Sequence, residues 1–245
     1  MIDSPMSTEM DEPAVERLLA EQRRYYGARA SEYDDWWFRR GRYAVDEDVA
    51  RQWFGDVAEL ERELERFDPR GDVLELAAGT GTWTQQLLRH ADRVTAVDAS
   101  PEVLDLNRAK TGGAAEYVPA DIFTWEPPRA FDACCFGFWL SHVPSSRFAA
   151  FWSLVERALK PDGRFFLVDN ARLGDSRHLV SASGEVARRS LADGREFDIV
   201  KRFWTPAQLE QEVAELGWQL TAGTTSNGFF IFGAGRRRSD LGGLR

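Results

Sequence analysis

One stretch, Asp72-Val-Leu-Glu-Leu-Ala-Ala-Gly79-Thr-Gly81-Thr82, constrains the fold of this chain more than any other. The run Val73 to Leu76 has the length and character of a buried strand. Two glycines then break it, and helical spacing from about Trp83 to His90 follows at once. The same alternation continues downstream. Strands are expected at Val94 to Val97, Ala115 to Val118 and Phe131 to Phe138, with a helix from Pro101 to about Ala109. A helix at Phe148 to Leu159 leads through the turn Lys160-Pro-Asp-Gly163 into a strand at Arg164 to Val168. A polar stretch, 170–195, breaks the rhythm. A strand near Asp198 to Phe203, a helix from Pro206 to about Leu216 and a strand near Gly228 to Phe232 close the series. Strands alternating with helices predict an α/β fold, a mainly parallel sheet covered by helices on both faces.

Ahead of this unit, Val15, Leu18, Leu19, Gln22, Tyr25 and Tyr26 keep one helical face partly apolar, with Pro13 in the first turn. An aromatic segment, Tyr33 to Phe38, follows, and then a charged amphipathic helix over residues 46–66. The expected organisation is a disordered terminus (1–12), a helical lid or cap (13–66), a ligand-binding domain (67–235) and a basic polar tail (236–245). At 245 residues the chain suits one such domain with its cap. A formal net charge of −9 argues against a nucleic-acid substrate, which would call for a basic footprint. The one dense basic cluster, Arg236 to Arg238, reads as part of a solvated end. No apolar run is long enough to span a bilayer, and the acidic start lacks a signal-peptide pattern. Cys134 and Cys135 are adjacent in an apolar run, which suits reduced thiols in a strand and a cytoplasmic protein.

Gly79 and Gly81 let backbone approach a ligand where a side chain would collide, and the following helix offers free N–H groups. About 20 residues on, Asp98 ends the second strand, where a carboxylate can accept both hydroxyls of an adenosine ribose. Ser100-Pro101 can cap the next helix in its place. Two cofactors use this arrangement, NAD and S-adenosylmethionine (SAM). The NAD fingerprint wants a third glycine where this chain has Thr84, and no Tyr-x-x-x-Lys pair is present.

Taken together, the motifs resemble those of class I SAM-dependent methyltransferases over roughly residues 70–235. The resemblance implies a Rossmann-like seven-stranded, mostly parallel sheet with a reversed terminal hairpin strand and an N-terminal helical lid. Glu75-Leu-Ala-Ala-Gly-Thr-Gly81 is similar to the family's first motif, which places Glu75, Ala77, Gly79, Thr80 and Gly81 at the methionine end of SAM. Val94-Thr-Ala-Val-Asp98 resembles the second, with Asp98 and Ala99 at the ribose and Val103 packing on adenine. Ala120-Asp121-Ile122 resembles the third, with Asp121 on the adenine amine and Ile122 beside the ring. Phe131 to Pro144 resembles the fourth strand and its loop, and brings Phe138 to the amino-acid end. Leu159 to Arg164 matches the turn into the fifth strand.

The segment Tyr25 to Trp37 resembles the leading helix of small-molecule methyltransferases, which implies that Tyr33, Trp37 and Arg42 close over SAM. Aromatic faces stabilise a sulfonium cation, and a guanidinium pairs well with a carboxylate. The alternative is that these aromatics simply pack the helix onto the sheet. His142, in Trp139-Leu-Ser-His-Val-Pro144, is the candidate general base for an acceptor that arrives protonated; a packed, hydrogen-bonded histidine is the competing reading. His90 and His178 read as structural or solvated, and the three histidines lack metal-ligand spacing. The stretch after the fourth strand reads Gly137-Phe-Trp-Leu-Ser141, unlike the Pro-Pro-Tyr signature of DNA amino-methylases or the paired glutamates of protein arginine methylases. A small-molecule acceptor is therefore expected, with no membrane or nucleic-acid partner and S-adenosylhomocysteine (SAH) as product. Oxygen, nitrogen and carbon all stay open as the methylated atom, as does the oligomeric state. An NAD-dependent oxidoreductase and a non-catalytic SAM-binding protein are the alternatives.

Overall fold

Nine strands and six α-helices are found among residues 10–171 and 185–238, which a computed structural model of the chain describes. Strand β1 (Asp72–Leu76) is buried along nearly its whole length. It pairs in parallel with β2 (Arg93–Asp98) on one side and β4 (Phe131–Gly137) on the other. Strand β3 (Glu116–Pro119) extends the sheet beyond β2, and β5 (Leu159–Asn170) beyond β4. Strand β9 (Phe230–Arg237) runs antiparallel between β5 and β8 (Trp218–Thr224). The order is β3-β2-β1-β4-β5-β9-β8, with one reversed strand, as the motif pattern implies.

Alternate residues of the central strands supply two cores. Leu74, Leu76, Cys134 and Phe136 pack with Phe151, Trp152 and Val155 of α5 (Ser145–Ala158) and with Leu209 and Val213 of α6 (Pro206–Glu215). On the other face, Val73, Ala133, Cys135 and Phe166 meet Trp53, Leu60, Leu64 and Phe67 of α2 (Glu47–Phe67). The short helix α3 (Thr82–Leu87) and α4 (Pro101–Thr111) lie on that second face through Leu87 and Leu104. The expectation of a cap spanning 13–66 is thus corrected: α2 is a layer of the domain, because its apolar stripe matches the sheet.

The cap is built instead from α1 (Glu12–Trp37) and a separate two-stranded ribbon. The helical segment and the aromatic segment form one continuous helix, started by Asp11, whose side chain accepts from the Ala14 N–H. The ribbon pairs β6 (Val186–Ser190) with β7 (Glu196–Val200), so the strand expected near Asp198 lies outside the main sheet. Val15, Leu18 and Leu19 of α1 pack on Val200. Gln22 fastens the two together: its Nε2 donates to the His142 carbonyl at 3.0 Å and its Oε1 accepts from the Val200 N–H at 3.0 Å. The true partner of the terminal strand, β8, follows α6.

The basic cluster is also reassigned. Arg236 and Arg237 belong to β9, paired with Gln219 and Trp218 of β8, so the tail does not begin at 236. His178, half of the polar stretch (172–184), residues 1–9 of the expected disordered terminus and the end of the tail lie outside the described residues. Among those described, no helix is long and apolar enough to cross a membrane.

Candidate active site

The carboxyl ends of the parallel strands, with α1 laid across them, enclose a cleft. Tyr33, Ala77, Gly79, Thr80, Asp98, Ala99, Val103, Asp121, Ile122 and Phe138 all line it. Ala77 and Phe138, at the ends of β1 and β4, hold φ of 54° and 55°. Each left-handed residue with a side chain costs roughly 1–2 kcal/mol. Both residues border the cleft, on the ligand side of the sheet; Arg39 and Asp68 hold the same conformation elsewhere, at φ 53° and 54°.

The two loop glycines do different work. Gly79 has φ +56° and open space where a Cβ would stand, with Ala77 O nearest at 3.9 Å, and it faces the cleft. Gly81 does not reach the cleft. A Cβ there would lie 2.6 Å from Asn107 Oδ1 of α4, so this glycine serves close packing between helices. Asn107 Nδ2 donates to Gly79 O (3.2 Å) and to Thr84 Oγ1 (2.7 Å), and Thr84 Oγ1 donates to Glu75 Oε2 (2.5 Å). Glu75 is 2% exposed, and burial pushes its carboxyl up to about 8, so it is neutral near pH 7. Together with Trp37, it borders a small side cavity beneath the loop rather than the main cleft.

Asp98 Oδ2 accepts from the Gly79 N–H and Oδ1 from the Ser100 N–H, both at 3.0 Å. Each oxygen keeps a further lone pair toward the cleft, enough for a pair of vicinal hydroxyls. Burial raises the Asp98 carboxyl despite these backbone bonds. The cap of α4 is supplied independently by Ser100 Oγ, which accepts from Val103 N–H. Asp121 sits at the rim, held by Arg23 of α1 at 2.9 Å. A second tie between lid and floor joins Asp34 of α1 to Lys110 Nζ at 2.8 Å and to the Thr80 hydroxyl at 2.6 Å.

Arg42 departs from expectation. It lines neither the cleft nor the side cavity; its guanidinium donates to Ser190 O and Tyr43 Oη, both at 2.8 Å, and lies 3.6 Å from Glu32. Its attraction for carboxylates is met within the cap, which keeps it from a ligand's amino-acid end.

His142 is 5% exposed in a 3₁₀ turn at Leu140–His142. Its Nδ1 lies 2.7 Å from Val200 O, a pure acceptor, so Nδ1 carries the proton. Its Nε2 then accepts from the Tyr26 hydroxyl at 2.7 Å. Burial, joined by the nearby Lys201 ammonium, pushes the imidazole well below its ordinary range and keeps it neutral. A base facing the acceptor directly needs a free lone pair, and this one is engaged. Tyr26, which the sequence places on the apolar face of the leading helix but does not mark as a site residue, borders the cleft beside His142 and holds that lone pair. Its position four residues after Gln22 on the helix face that covers the cleft was the available signal. Among the described residues no cluster of three metal-ligating side chains occurs.

Next to the cleft lies a larger cavity of about 490 Å³, and Tyr26, Tyr33, Phe138 and His142 border both.

Comparison with known proteins sets this geometry in context. A family model described as a methyltransferase domain matches residues 73–163. A solved structure described as a DhpI–SAM–HEP complex is 39% identical, with a TM-score of 0.74 over 89% of this chain and 97% of that one. The ubiquinone biosynthesis O-methyltransferase of Xanthomonas axonopodis pv. citri is 29% identical over 167 residues, 66% of this chain and 68% of that protein. For the enzyme of the same name from Xylella fastidiosa (strain 9a5c), 30% identical, the match spans 61% of its length. Burkholderia thailandensis 1,6-didemethyltoxoflavin-N1-methyltransferase, at 19% identity and a TM-score of 0.62, shares the fold.

Proposed function

We propose that this chain, which belongs to the class I SAM-dependent methyltransferases, methylates a small molecule held in the larger cavity beneath the cap. One observation carries the reading: Tyr26, Tyr33, Phe138 and His142 border both cleft and cavity, so the two spaces adjoin where a donor in one would approach an acceptor in the other. The cleft suits the cofactor. Gly79 leaves room for close approach, Asp98 offers lone pairs to a ribose, and Val103 and Ile122 offer apolar faces to a flat base. When bound, SAM supplies an electrophilic methyl carbon; the acceptor's lone pair forms the new bond while the carbon–sulfur pair returns to sulfur, leaving SAH.

The chain contributes position first, since holding reactants in line can supply much of the rate. For an acceptor that arrives as a hydroxyl, Tyr26 Oη takes its proton as the phenol's own proton passes to His142 Nε2. The Val200 carbonyl, accepting from Nδ1–H, supports the imidazolium that burial and Lys201 oppose, so this charge lasts only for the transfer itself. Burial pushes the Tyr26 phenol well above its ordinary range, so it relays a proton rather than standing ionised. Tyr26 is the contacting group, and His142 acts through it. The relay suits a hydroxyl, and the Xanthomonas and Xylella relatives are named as O-methyltransferases; both support oxygen as the methylated atom. The cleft encloses only about 120 Å³, below the roughly 300 Å³ usual for ligand pockets. Cofactor entry therefore requires α1 to lift, breaking the Arg23–Asp121 and Asp34–Lys110 pairs.

Isothermal titration with SAH, with the Asp98→Ala variant in parallel, tests the cofactor reading. One tight site in the native chain, weakened at least tenfold in a variant of unchanged melting temperature, is the expected result. Unchanged affinity removes Asp98 from the site; a folded chain that binds no SAH overturns the reading.

A further inference from the structure

The larger cavity has a lining unlike the rest of the molecule. The chain's formal net charge is −9, yet among the described residues this lining includes Arg29, Arg39, Arg42, Arg189 and Lys201 and neither an aspartate nor a glutamate. Two of these cations have carboxylates close behind them. Arg42 lies near Glu32, and the Lys201 ammonium is 3.7 Å from buried Asp169. Lys201 also donates to Ser141 Oγ at 2.8 Å and to Asn170 Oδ1 at 2.9 Å, which leaves it fixed in direction and 4% exposed.

Arg29 and Arg39 are held differently. Each has a buried Nε with no hydrogen-bond partner, and neither forms an ion pair among the described residues. Aromatic rings hold them instead. The Arg29 guanidinium stands 5.3 Å from the Tyr33 ring centre and 5.6 Å from that of Tyr43. The Arg39 guanidinium lies 3.2 Å from the Trp53 ring centre and 5.3 Å from that of Trp36. Ring faces orient a guanidinium while leaving its N–H edges open, and those edges match an oxyanion in a bidentate way. Cations gathered in one partly desolvated space repel one another, an arrangement that an arriving anion relieves. Because the clamps already fix the side chains, little rotamer freedom is lost when that anion binds. Two guanidiniums without carboxylate partners ask for two negative charges.

Resting on the reading that this cavity holds the acceptor, we propose that the methyl acceptor is a small oxyanion of charge −2. Arg29, Arg39 and Lys201 grip its charged oxygens, and its nucleophilic atom points to the junction with the cofactor cleft, which Tyr26 and Phe138 border from both sides. The shared chemistry is two charges on oxygen, whether on one phosphate-type group or on two carboxylates.

The test is calorimetric titration of the full chain, first with SAH and then, in SAH-saturated protein, with inorganic phosphate, malonate and acetate. Arg29→Met and Arg39→Met retain apolar bulk without charge. Arg51→Gln alters an exposed arginine of α2 paired with Asp48 and serves as control. Expected is saturable binding of one dianion per chain, at least tenfold tighter than acetate. Each cavity variant should lose at least tenfold, the control less than twofold, with SAH affinity held within twofold throughout. Phosphate above malonate identifies one tetrahedral group, and the reverse identifies two carboxylates. A chain that binds SAH yet takes neither dianion, takes acetate equally well, or binds dianions unchanged in both cavity variants overturns the proposal. Should Arg39→Met fail to fold, Arg39→Lys, which keeps the charge and loses the fork, replaces it with the same expected loss. If SAH itself does not bind, the cofactor reading fails, and dianion titration of the free chain still decides the cavity.

Discussion

Replacing Glu75 by Gln removes an ionisable group from the middle of the sheet while keeping its shape and an oxygen for the Thr84 hydroxyl. In the folded chain, burial pushes this carboxyl from an ordinary 4.5 to about 8, overriding the Thr84 bond that pulls it down. At 1.36 kcal/mol per pH unit, that gap corresponds to roughly 5 kcal/mol between the neutral and ionised forms. Its folded value lies above its unfolded one, so the folded chain keeps a proton that the unfolded chain releases. The stability tied to that proton is complete below about pH 4.5 and is lost as pH rises to about 8. The native chain should therefore weaken relative to Glu75→Gln across this window. The difference between them should be small at pH 4.5 and should grow by roughly 5 kcal/mol at pH 9. In a domain of this size 1 kcal/mol moves the melting temperature by about 2–4 °C, so circular dichroism melts at pH 5, 7 and 9 resolve it readily. A difference between the two proteins that stays level from pH 5 to 9 would refute the reasoning, since Glu75 would then be ionised or solvated in the folded state.

Gly81→Ala should cost about 2 kcal/mol or more by denaturant titration, because φ is +91° and the new Cβ meets Asn107 Oδ1 at 2.6 Å. Gly112→Ala, strained in φ alone with open space around it, should cost less; equal losses would reject the packing role of Gly81. Asp34→Asn breaks the tie to Lys110, a partly exposed pair worth about 0.5 kcal/mol, and should speed SAH release a few-fold with little change in melting. An unchanged release rate in stopped flow would remove that pair from lid control. Tyr26→Phe should lower single-turnover methyl transfer about 100-fold or more at unchanged SAH affinity. Full turnover in that variant would mean that no relay is needed.

Much of the domain was legible because its signals are local. Residues Val73 to Leu76 are near-continuously apolar since β1 is covered on both faces, and the glycine loop and Asp98 lie within a single βαβ unit. The expected cap at Ser100-Pro101 is present for the same reason: a hydroxyl three residues before the N–H it accepts is a property of neighbours. Strand β8 was missed because it ends in small and polar residues, Thr221-Ala-Gly-Thr224, and its pairing with β9 is what makes it a strand. The strand near Asp198 was assigned to the sheet because β-propensity is the same in a ribbon; only α1, covering it, decides where it lies.

What the amino-acid sequence determined by itself was a parallel sheet with a ligand loop at its carboxyl edge, since periodicity, turn chemistry and capping act over a few residues. Tertiary structure alone decided which polar groups were already taken. Arg42 looks as fit for a carboxylate as Arg29, yet Glu32 and Ser190 occupy it, while Arg29 and Arg39 are held by rings and have no ion pair among the described residues. His142 looks like a base until Tyr26, 116 positions away, takes its lone pair. Lys201 joins the arginines only because β7 ends against α1. Burial and the choice of partner are properties of distant segments brought together, and these two factors set the charge, direction and availability of every group in the site.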